Sequence, residues 1–426
     1  MNTNNTYYIQ MPKKVTEILP TWEGNKPFKG FNIDNLRIII SIICTHLRKD
    51  VRGNIYAQLK MEILRLKVWN AEKYIHLLIE SGIIERIGGY VIKSHAYKYR
   101  FTSAYQSPPV TIELKNQKLI RKIYKINASA GRKQKRQYPK QNRQIKSMTV
   151  NFDNAIKLSK NKFPDPAQVE KLSYAIGAIT RIQNKEFYHR VDETGNRLHT
   201  NLTNLPKFLR GEIQINQKYI SGVDIRNSQP YMAGKYLTDP ESGKEFFPGE
   251  YPLKMLKCLR LSEQQDVKRF LSLTSQAEFY NYLETEFNKR GLKYEGAELK
   301  TKIFQILFDK NRHTSKEKRI FYELFPSVEK AFSVLRMGNY TNFVNSLQRM
   351  ESYVVLDIIL NRLNCENPDM VATPIYDSIC TSIATDDIET VQNVMTEELT
   401  KFVGLPPVLK VENFDRPHFL TSNSSF

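Results

Sequence analysis

The sequence predicts an α+β fold, and three observations support this prediction. Apolar residues follow a helical spacing in three successive stretches between residues 32 and 82. Short β-prone runs follow on either side of Gly88-Gly89. Beyond residue 150, helical patterns mix with short apolar runs, two of which end at an aspartate. A chain of 426 residues with 41% hydrophobic content is long enough for two or three domains with buried cores.

The chain carries a large excess of positive charge. Lysine and arginine number 64, against 44 aspartates and glutamates, which gives a formal net charge of +20. Such an excess favours a polyanionic partner, most simply nucleic acid. The alternative is that the charge serves only solubility.

The cysteines and the hydrophobic runs exclude several classes of protein. The four cysteines (Cys44, Cys258, Cys365, Cys380) are scattered, so neither a zinc site nor a disulfide framework is predicted. The N-terminal segment lacks an apolar signal core, and no apolar run reaches about 18 residues. We therefore expect a protein without membrane spans or a membrane partner, in a reducing cytoplasm.

The first hundred residues predict an arm followed by a small domain. Residues 1–30 contain five prolines and glycines (Pro12, Pro20, Gly24, Pro27, Gly30) and predict an irregular N-terminal arm. Residues 31–105 predict three helices: one from residue 33 to residue 47, one from Tyr56 to Val68, and one that begins after Asn70. Strands are predicted around Gly88-Gly89, in part at residues 90–92, and again at residues 97–101.

This order of helices followed by a hairpin resembles a winged-helix domain, and residues 78–101 are typical of that family's last helix and wing. The resemblance implies DNA binding through a helix able to enter a groove. The alternative interpretations are a protein–protein module and a packing domain.

Residues 106–150 predict a basic linker. Residues 115–146 carry twelve lysines and arginines and no acidic residue. The dense part contains the candidate nucleic-acid-binding residues Arg132, Lys133, Lys135 and Arg136. The linker is either disordered and solvated or lies along phosphates with salt-dependent affinity, and the lack of acidic residues favours the second interpretation.

Two aspartates beyond residue 150 are candidate metal ligands. Asp224 and Asp377 each follow a β-prone run, so each is predicted at a strand end that holds its carboxylate rigidly. If their strands are neighbours, the two carboxylates can share a two-metal site of the kind that supports nucleotidyl transfer. For either aspartate alone, a turn or cap role is the alternative.

A lysine-bearing helix is predicted between the two aspartates in the sequence. Lys300, Phe304 and Phe308 recur every four residues and therefore share one helix face. A cation one turn from aromatic rings suits a nucleoside triphosphate. The alternative is an amphipathic helix that packs on a core, with the lysine at its edge.

Taken together, these motifs resemble the polymerase domain of the DNA polymerase A family and of the related single-subunit phage-type RNA polymerases. Asp224 with Ser228-Gln229 matches motif A, Lys300 with residues 303–309 matches motif B, and residues 376–378 match motif C with Tyr376 replacing a histidine. Flanking segments at residues 194–205, 324–328 and 347–352 follow the family's order. The resemblance implies a right-hand polymerase with palm and fingers over residues 151–426.

The resemblance implies roles for individual residues. Asp224 and Asp377 are assigned to two Mg²⁺ ions, with Mn²⁺ as the alternative, and Lys300 to catalysis and the triphosphate. Phe304, Phe308, Arg226 and Gln229 are assigned to the nucleotide pocket. Arg197, His199, Arg210 and Gln348 are assigned to the primer–template path.

The chain departs from the family around the nucleotide. The motif B Tyr-Gly is Phe308-Asp309, and the arginine expected four residues before Lys300 is Gly296. Arg290, Lys293 and Lys302 are candidate replacements for that arginine. Sugar selectivity therefore stays open at this point.

The first functional hypothesis is a DNA-dependent DNA polymerase that uses dNTPs, a DNA template and a primer, together with replication accessory proteins. No Asp-x-Glu exonuclease motif precedes the catalytic region, so proofreading is not expected. A DNA-binding domain joined to such an enzyme would suit a phage, plasmid or other mobile element. The alternatives are an RNA polymerase or primase that uses NTPs, and a non-catalytic winged-helix replication initiator or regulator.

Overall fold

A computed structural model of the chain describes residues 6–88, 96–129 and 137–414. The chain divides into two compact units. Unit 1 comprises the residues up to His189 together with Thr200–Tyr219, and unit 2 comprises Arg190–His199 together with Ile220–Phe414. In the described part of the chain, no helix is both long and apolar enough to cross a lipid bilayer.

Helices and strands are both abundant, as expected for a mixed fold. The strands are β1 Tyr7–Pro12, β2 Leu47–Lys49, β3 Ile55–Leu59, β4 Ile84–Ile87, β5 Tyr97–Phe101, β6 Pro109–Leu114, β7 Thr149–Val150, β8 His189–Val191, β9 Leu198–Thr200, β10 Ile213–Ile215, β11 Lys218–Ile225, β12 Thr373–Ile375, β13 Ser378–Ser382 and β14 Leu409–Asn413. The helices before Asp224 are α1 Lys13–Gly24, α2 Ile33–Thr45, α3 Met61–Lys67, α4 Ala71–Glu80, α5 Gln117–Ser129, α6 Pro139–Lys146, α7 Phe152–Lys162 and α8 Val169–Gln183. The later helices are α9 Ser228–Thr238, α10 Tyr251–Cys258, α11 Gln265–Ser275, α12 Phe279–Lys289, α13 Gly296–Phe308, α14 Lys316–Leu324, α15 Pro326–Leu335, α16 Thr341–Ser352, α17 Leu360–Glu366 and α18 Thr385–Val403.

The prediction of an irregular arm at residues 1–30 is wrong for residues 7–24, which form a strand and a helix. Strand β1 pairs with β6 over its whole length, from Tyr7 opposite Leu114 to Pro12 opposite Pro109. Helix α1 follows directly and contains Pro20. An internal proline costs a helix roughly 3 kcal/mol, but burial of Val15 and Leu19 opposes that cost. Pairing with a strand about a hundred residues away is not visible in a local window of sequence.

Residues 31–105 contain the predicted helices with one correction. The helical pattern at Tyr56–Val68 is a strand, β3, followed by a shorter helix, α3. Ala57 and Leu59 pair with Tyr99 and Tyr97 of β5, so alternating burial replaces the helical period. The strands form a sheet in the order β2-β3-β5-β4. The strand predicted at residues 90–92 lies outside the described residues.

Residues 106–150 are more ordered than the predicted linker. They contain β6, α5, α6 and β7. Helix α5 is amphipathic, because Leu119, Ile120 and Ile123 are buried. Its basic residues Lys118, Arg121, Lys122 and Lys125 are exposed. The basic composition therefore belongs in part to the solvent face of a folded helix.

The sheet of unit 2 holds β11 between two antiparallel neighbours. Strand β13 pairs with β11 on one side and β14 pairs with it on the other, while β12 extends the sheet beyond β13. Helix α9 begins after β11, and helices α11, α16 and α18 pack against it. Helix α16 continues as a π-helical stretch, Tyr353–Ile359, a form that is frequent near functional sites.

Candidate catalytic site

The two candidate metal ligands lie at the same end of two neighbouring strands. Asp224 is the penultimate residue of β11, and its Cα is opposite that of Ser378 in β13. Asp377 comes one residue before Ser378, and its carbonyl oxygen accepts a hydrogen bond from the Ile225 N–H at 3.4 Å. Strand pairing thus brings together two residues that are 153 positions apart in sequence. This is the arrangement that the sequence motifs require if Asp224 and Asp377 are to share a metal site.

Asp377 lies in a tight turn with an unusual conformation. β12 and β13 pair through Ile375 and Ser378, which leaves Tyr376 and Asp377 as the two loop residues. Tyr376 has a φ of 57°, a left-handed conformation that two-residue hairpins usually reserve for Gly, Asn or Asp. Its ring lies 5.1 Å from the Arg197 guanidinium and 5.7 Å from the His199 ring. These contacts offset the strain and fix the turn that presents Asp377.

Glu351 of α16 links this turn to the start of α9. Its side chain is only 1% exposed. Its Oε1 accepts from Arg197 Nε at 3.1 Å and Nη2 at 2.6 Å. Its Oε2 accepts from Ser228 Oγ at 2.8 Å and Gln229 Nε2 at 2.6 Å. Both carboxylate oxygens are therefore satisfied, as a buried charge requires.

The segment that carries Arg197 is held in place by Asp192. The Asp192 carboxylate accepts hydrogen bonds from the N–H groups of Thr194, Gly195 and Arg197. It also lies 2.9 Å from His199 Nε2. Together these bonds lower the pKa of Asp192 against the opposing effect of burial.

Helix α16 packs closely on the same segment. Arg349 Nε donates to the Thr194 carbonyl, and Ser352 Oγ donates to the Gly195 carbonyl, both at 2.8 Å. A Cβ at Gly195 would lie only 2.7 Å from Gln348 Oε1. Glycine at this position therefore allows the close approach that brings Arg197 to Glu351.

The electrostatics of the site centre on Asp377. Burial raises the pKa of its carboxyl well above the ordinary range, and the negative charges of Glu351 and Asp224 raise it further. A backbone hydrogen bond and the Arg197 guanidinium oppose this rise only in part. Burial and the charge of Asp377 also raise the pKa of the Tyr280 hydroxyl on α12, which places that phenol near the site.

The donor set suits a hard divalent cation. Carboxylate oxygens are the ligands that Mg²⁺ and Mn²⁺ prefer, and a cation would relieve the repulsion at Asp377. Mg²⁺ commonly takes only one or two protein carboxylates and completes its shell with water and substrate phosphates. Among the described residues, no three His, Cys, Asp or Glu side chains are grouped to hold an ion on their own. Asp224 and Asp377 thus fit a cation site that substrate would complete.

The lysine helix forms as predicted. It is α13, and along it Lys300 Nζ lies 5.5 Å from the Phe304 ring, which lies 5.8 Å from the Phe308 ring. The Phe308 ring lies 5.8 Å from Phe343, which joins α13 to the first turn of α16. Lys300 is exposed and makes no ion pair within the described part of the chain.

Two of the proposed replacements for the missing arginine are engaged elsewhere. Lys302 Nζ lies 3.5 Å from Glu317, and Arg290 pairs with Glu286 at 2.6 Å. Lys293 is exposed on the loop before α13.

The remaining candidate residues are spread over both units. Gln229 is the second residue of α9 and lies beside Glu351, and its buried Oε1 has no hydrogen-bond partner among the described residues. Arg226 is exposed at the end of β11 and its N–H donates to the Val408 carbonyl. Gln348 is half-buried on α16 next to Gly195, whereas Arg210 belongs to unit 1. Arg132, Lys133, Lys135 and Arg136 lie outside the described residues.

Sequence reasoning missed the roles of three residues. Glu351 lies in the segment 347–352 that carries the resemblance, three residues after Gln348 on the same helix face, but no role is predicted for it from the sequence. Asp192 precedes Thr194-Gly195 with the spacing of an aspartate-stabilised turn. No local pattern marks Tyr280.

The chain has a distant likeness to a solved polymerase domain. Neither a protein-family model nor a curated protein sequence matches the chain. Among solved structures, the POL domain of Pol1 from M. smegmatis, in complex with DNA primer-template and dNTP, matches with a TM-score of 0.31 and 11% identity. The match covers 62% of this chain and 55% of that chain, so this chain spans about half of its length. A TM-score of this size does not establish a shared fold.

Proposed function

We propose that the chain is a template-directed nucleotidyltransferase, specifically a DNA-dependent DNA polymerase without proofreading that replicates a phage, plasmid or other mobile element. The observation that carries the proposal is the pairing of β11 with β13, which brings Asp224 and Asp377 to one end of the sheet. The ordered sequence motifs around them add support. The fold assignment that belongs to the proposal is a right-hand palm and fingers preceded by a winged helix.

In this proposal, Asp224 and Asp377 hold Mg²⁺, with Mn²⁺ as a substitute. Bound metal would supply Lewis-acid activation of the primer 3′ oxygen and neutralise the leaving pyrophosphate. Arg197 and Glu351 fix the turn that presents Asp377, so that little rearrangement is needed when substrate binds. Burial and the nearby charges of Glu351 and Asp224 raise the pKa of Asp377, and a shift of this kind is common for carboxylates at functional sites.

The nucleotide would meet α13 and the start of α9. Lys300 is a cation for the triphosphate, and the rings of Phe304 and Phe308 are surfaces for the base and sugar. Gln229 Nε2 donates to Glu351, and its buried Oε1 has no hydrogen-bond partner among the described residues, so it is an unsatisfied acceptor at the start of α9. These groups support nucleotide binding, and they leave the choice between dNTPs and NTPs to experiment.

The nucleic-acid partner is supported by charge. The formal net charge is +20, and α5 exposes Lys118, Arg121, Lys122 and Lys125 on one helix. Exposed cations of this kind bind phosphates by releasing counterions. We propose a primed DNA template as the partner, with replication accessory proteins, in the host cytoplasm.

The test is primer extension on a labelled primer–template with Mg²⁺ or Mn²⁺, comparing dNTPs with NTPs. The proposal expects template-dependent incorporation that requires the metal and favours dNTPs. Incorporation of NTPs alone would assign an RNA polymerase or primase. No incorporation with either set, on primed or unprimed templates, would leave the non-catalytic initiator.

A further inference from the structure

The sheet β2-β3-β5-β4 of unit 1 has one face packed on helices and one face open to solvent. Alternation along the strands puts Ala57, Leu59, Tyr99 and Phe101 on the packed face, where all four are buried. The opposite face carries Arg48, Tyr56, Gln58, Lys98 and Arg100. We call these five residues the outer sheet face.

Two cations of this face flank a single aromatic ring. The Arg48 guanidinium lies 5.4 Å and the Lys98 ammonium 4.7 Å from the centre of the Tyr56 ring. Arg48 also donates a hydrogen bond to the Gln58 side chain. Cation–π contacts of this kind orient the charged groups and leave their charge intact.

The acidic residues around this face do not cancel both cations. Arg100 is paired with Glu85 at 2.6 Å, so this cation is compensated. Asp50 lies close enough to Lys98 to interact with it electrostatically, but Asn54 engages its carboxylate through backbone and side-chain N–H groups. Within the described residues, neither Arg48 nor Lys98 is in an ion pair. The outer sheet face therefore keeps a net positive charge.

The helical surface of the same domain is different. Arg65 of α3 is paired with Glu72 of α4, and His76 lies 3.1 Å from Glu80. Lys73 is the remaining exposed cation of α4, and its ammonium lies 5.9 Å from the Phe28 ring. This surface is close to neutral, although the winged-helix resemblance would place DNA on such a helix.

We infer that the outer sheet face binds the phosphate backbone of nucleic acid. Two strand spacings of about 4.8 Å separate Arg48 from Lys98, so the two cations can meet different phosphates. Each phosphate neutralised releases condensed counterions. The inference rests on the proposed function in one respect, which is that nucleic acid is taken as the polyanion that binds.

The test compares two double variants of the full chain that remove the same charge. Arg48→Gln with Lys98→Gln alters the outer sheet face, and Arg65→Gln with Lys73→Gln alters the helical surface. Binding to a fluorescent single-stranded 20-mer, and to its duplex, is measured by anisotropy at several salt concentrations. We expect the first variant to bind roughly 10-fold more weakly and its single-strand salt slope to shrink by about 1.4, which is two contacts at about 0.7 each. The second variant should bind like the wild type.

Three results of this binding test bear on the role of the outer sheet face. Equal losses in both double variants, or a loss confined to the helical pair, would overturn the inference. Binding to anionic lipid vesicles that exceeds binding to either oligonucleotide would overturn it as well. If the glutamine variant melts at a lower temperature than the wild type, Tyr56→Leu replaces it, with a smaller loss of affinity expected.

Failure of the proposed polymerase activity would be a separate result. A wild type without nucleotide incorporation, but with affinity that depends on Arg48 and Lys98, would refute the proposed function and keep this inference. If the Arg48→Gln, Lys98→Gln variant incorporates nucleotides normally at saturating primer–template and its affinity is unchanged, the proposed function is kept and this inference is refuted.

Discussion

Asp377 carries an electrostatic cost in the folded protein. Its carboxyl is buried close to Glu351 and Asp224, and its pKa is raised as a result. A group whose pKa is higher in the folded than in the unfolded state stabilises the fold at low pH and loses that contribution as the pH rises. For Asp377, the loss begins near the ordinary aspartate pKa of about 3.9 and continues up to the raised value.

Asp377→Asn should therefore stabilise the protein when divalent cations are removed with a chelator. We expect a gain on the order of 1 kcal/mol at pH 8 and no gain near pH 4, because the asparagine cannot ionise. Thermal unfolding across this pH range measures the difference. Asp369→Asn, on the exposed loop after α17, is the matched control and should show no such trend. A lower unfolding temperature for Asp377→Asn at pH 8 would contradict the assignment.

Glu351 is expected to act through its neighbours rather than on substrate. Glu351→Gln keeps the shape but removes the charge that holds Arg197, so we expect incorporation to fall by roughly 10-fold with little loss of stability. Glu351→Ala leaves Arg197 without its partner and should cost roughly 3 kcal/mol. Steady-state kinetics and thermal unfolding separate the two effects. An unchanged kcat in both variants would remove Glu351 from the site.

At the scale of single elements, the β12–β13 turn tests whether backbone strain serves the site. Tyr376 in a left-handed conformation costs about 1–3 kcal/mol, which glycine would avoid. Tyr376→Gly should therefore keep much of its stability but lose activity, because the packing with Arg197 and His199 is removed. Tyr376→Phe keeps the ring and should keep both properties. Full activity in the Tyr376→Gly variant would contradict a role for the Tyr376 ring in the site.

A buried arginine holds the C-terminal end of the lysine helix. Arg336 Nη1 donates to the carbonyls of Ile306 and Leu307 at 2.9 and 2.8 Å, and its Nη2 pairs with Glu329 at 2.5 Å. The Arg336 side chain is fully buried. This bridge satisfies two of the carbonyls that a helix leaves open at its C-terminal end.

Arg336→Met should destabilise the protein by about 3–5 kcal/mol, since it strands the Glu329 carboxylate. Adding Glu329→Leu should restore part of that loss, because it removes the carboxylate that Arg336 neutralised. The restoration is only partial because Lys318 Nζ, which lies 3.9 Å from Glu329 in the wild type, then loses this acidic partner. Urea denaturation of both single variants and the double variant gives the coupling energy. Purely additive effects would show that the pair is not coupled.

The elements that could be predicted from sequence are those with a strong local period. Helices α2, α4 and α13 follow apolar spacing, and Asn32 caps α2 through its side-chain oxygen, as a polar cap residue does. β1 and β3 were assigned wrongly because their partners, β6 and β5, lie far away in sequence. Long-range pairing overrides local propensity in both cases.

At the scale of the whole molecule, the basic surfaces and the candidate catalytic residues belong to different units. Part of the excess positive charge lies on two surfaces of unit 1, one on α5 and one on the outer sheet face. The candidate catalytic residues Asp224, Asp377 and Lys300 belong to unit 2. The division at His189 and Tyr219 was not predictable, since residues 151–189 show no compositional break from the residues C-terminal to them.

The site itself was half predictable. Asp224 and Asp377 could be selected because each follows a β-prone run, and strand pairing confirms that they are neighbours. The partners of Arg197 could not be selected, because Glu351 and Tyr376 reach it from segments more than 150 residues away. Contacts of that range depend on the packing of α16, which no local pattern specifies.

The measurement that tests the central claim most directly is single-nucleotide incorporation with Mg²⁺ by Asp224→Asn, Asp377→Asn and the surface control Asp369→Asn. We predict that the first two variants incorporate at least about 100-fold more slowly than the wild type, because each removes one of the two carboxylates at the strand ends. The control should stay within about twofold of the wild type, as expected for an exposed loop residue. Wild-type rates in both Asp224→Asn and Asp377→Asn would contradict the account.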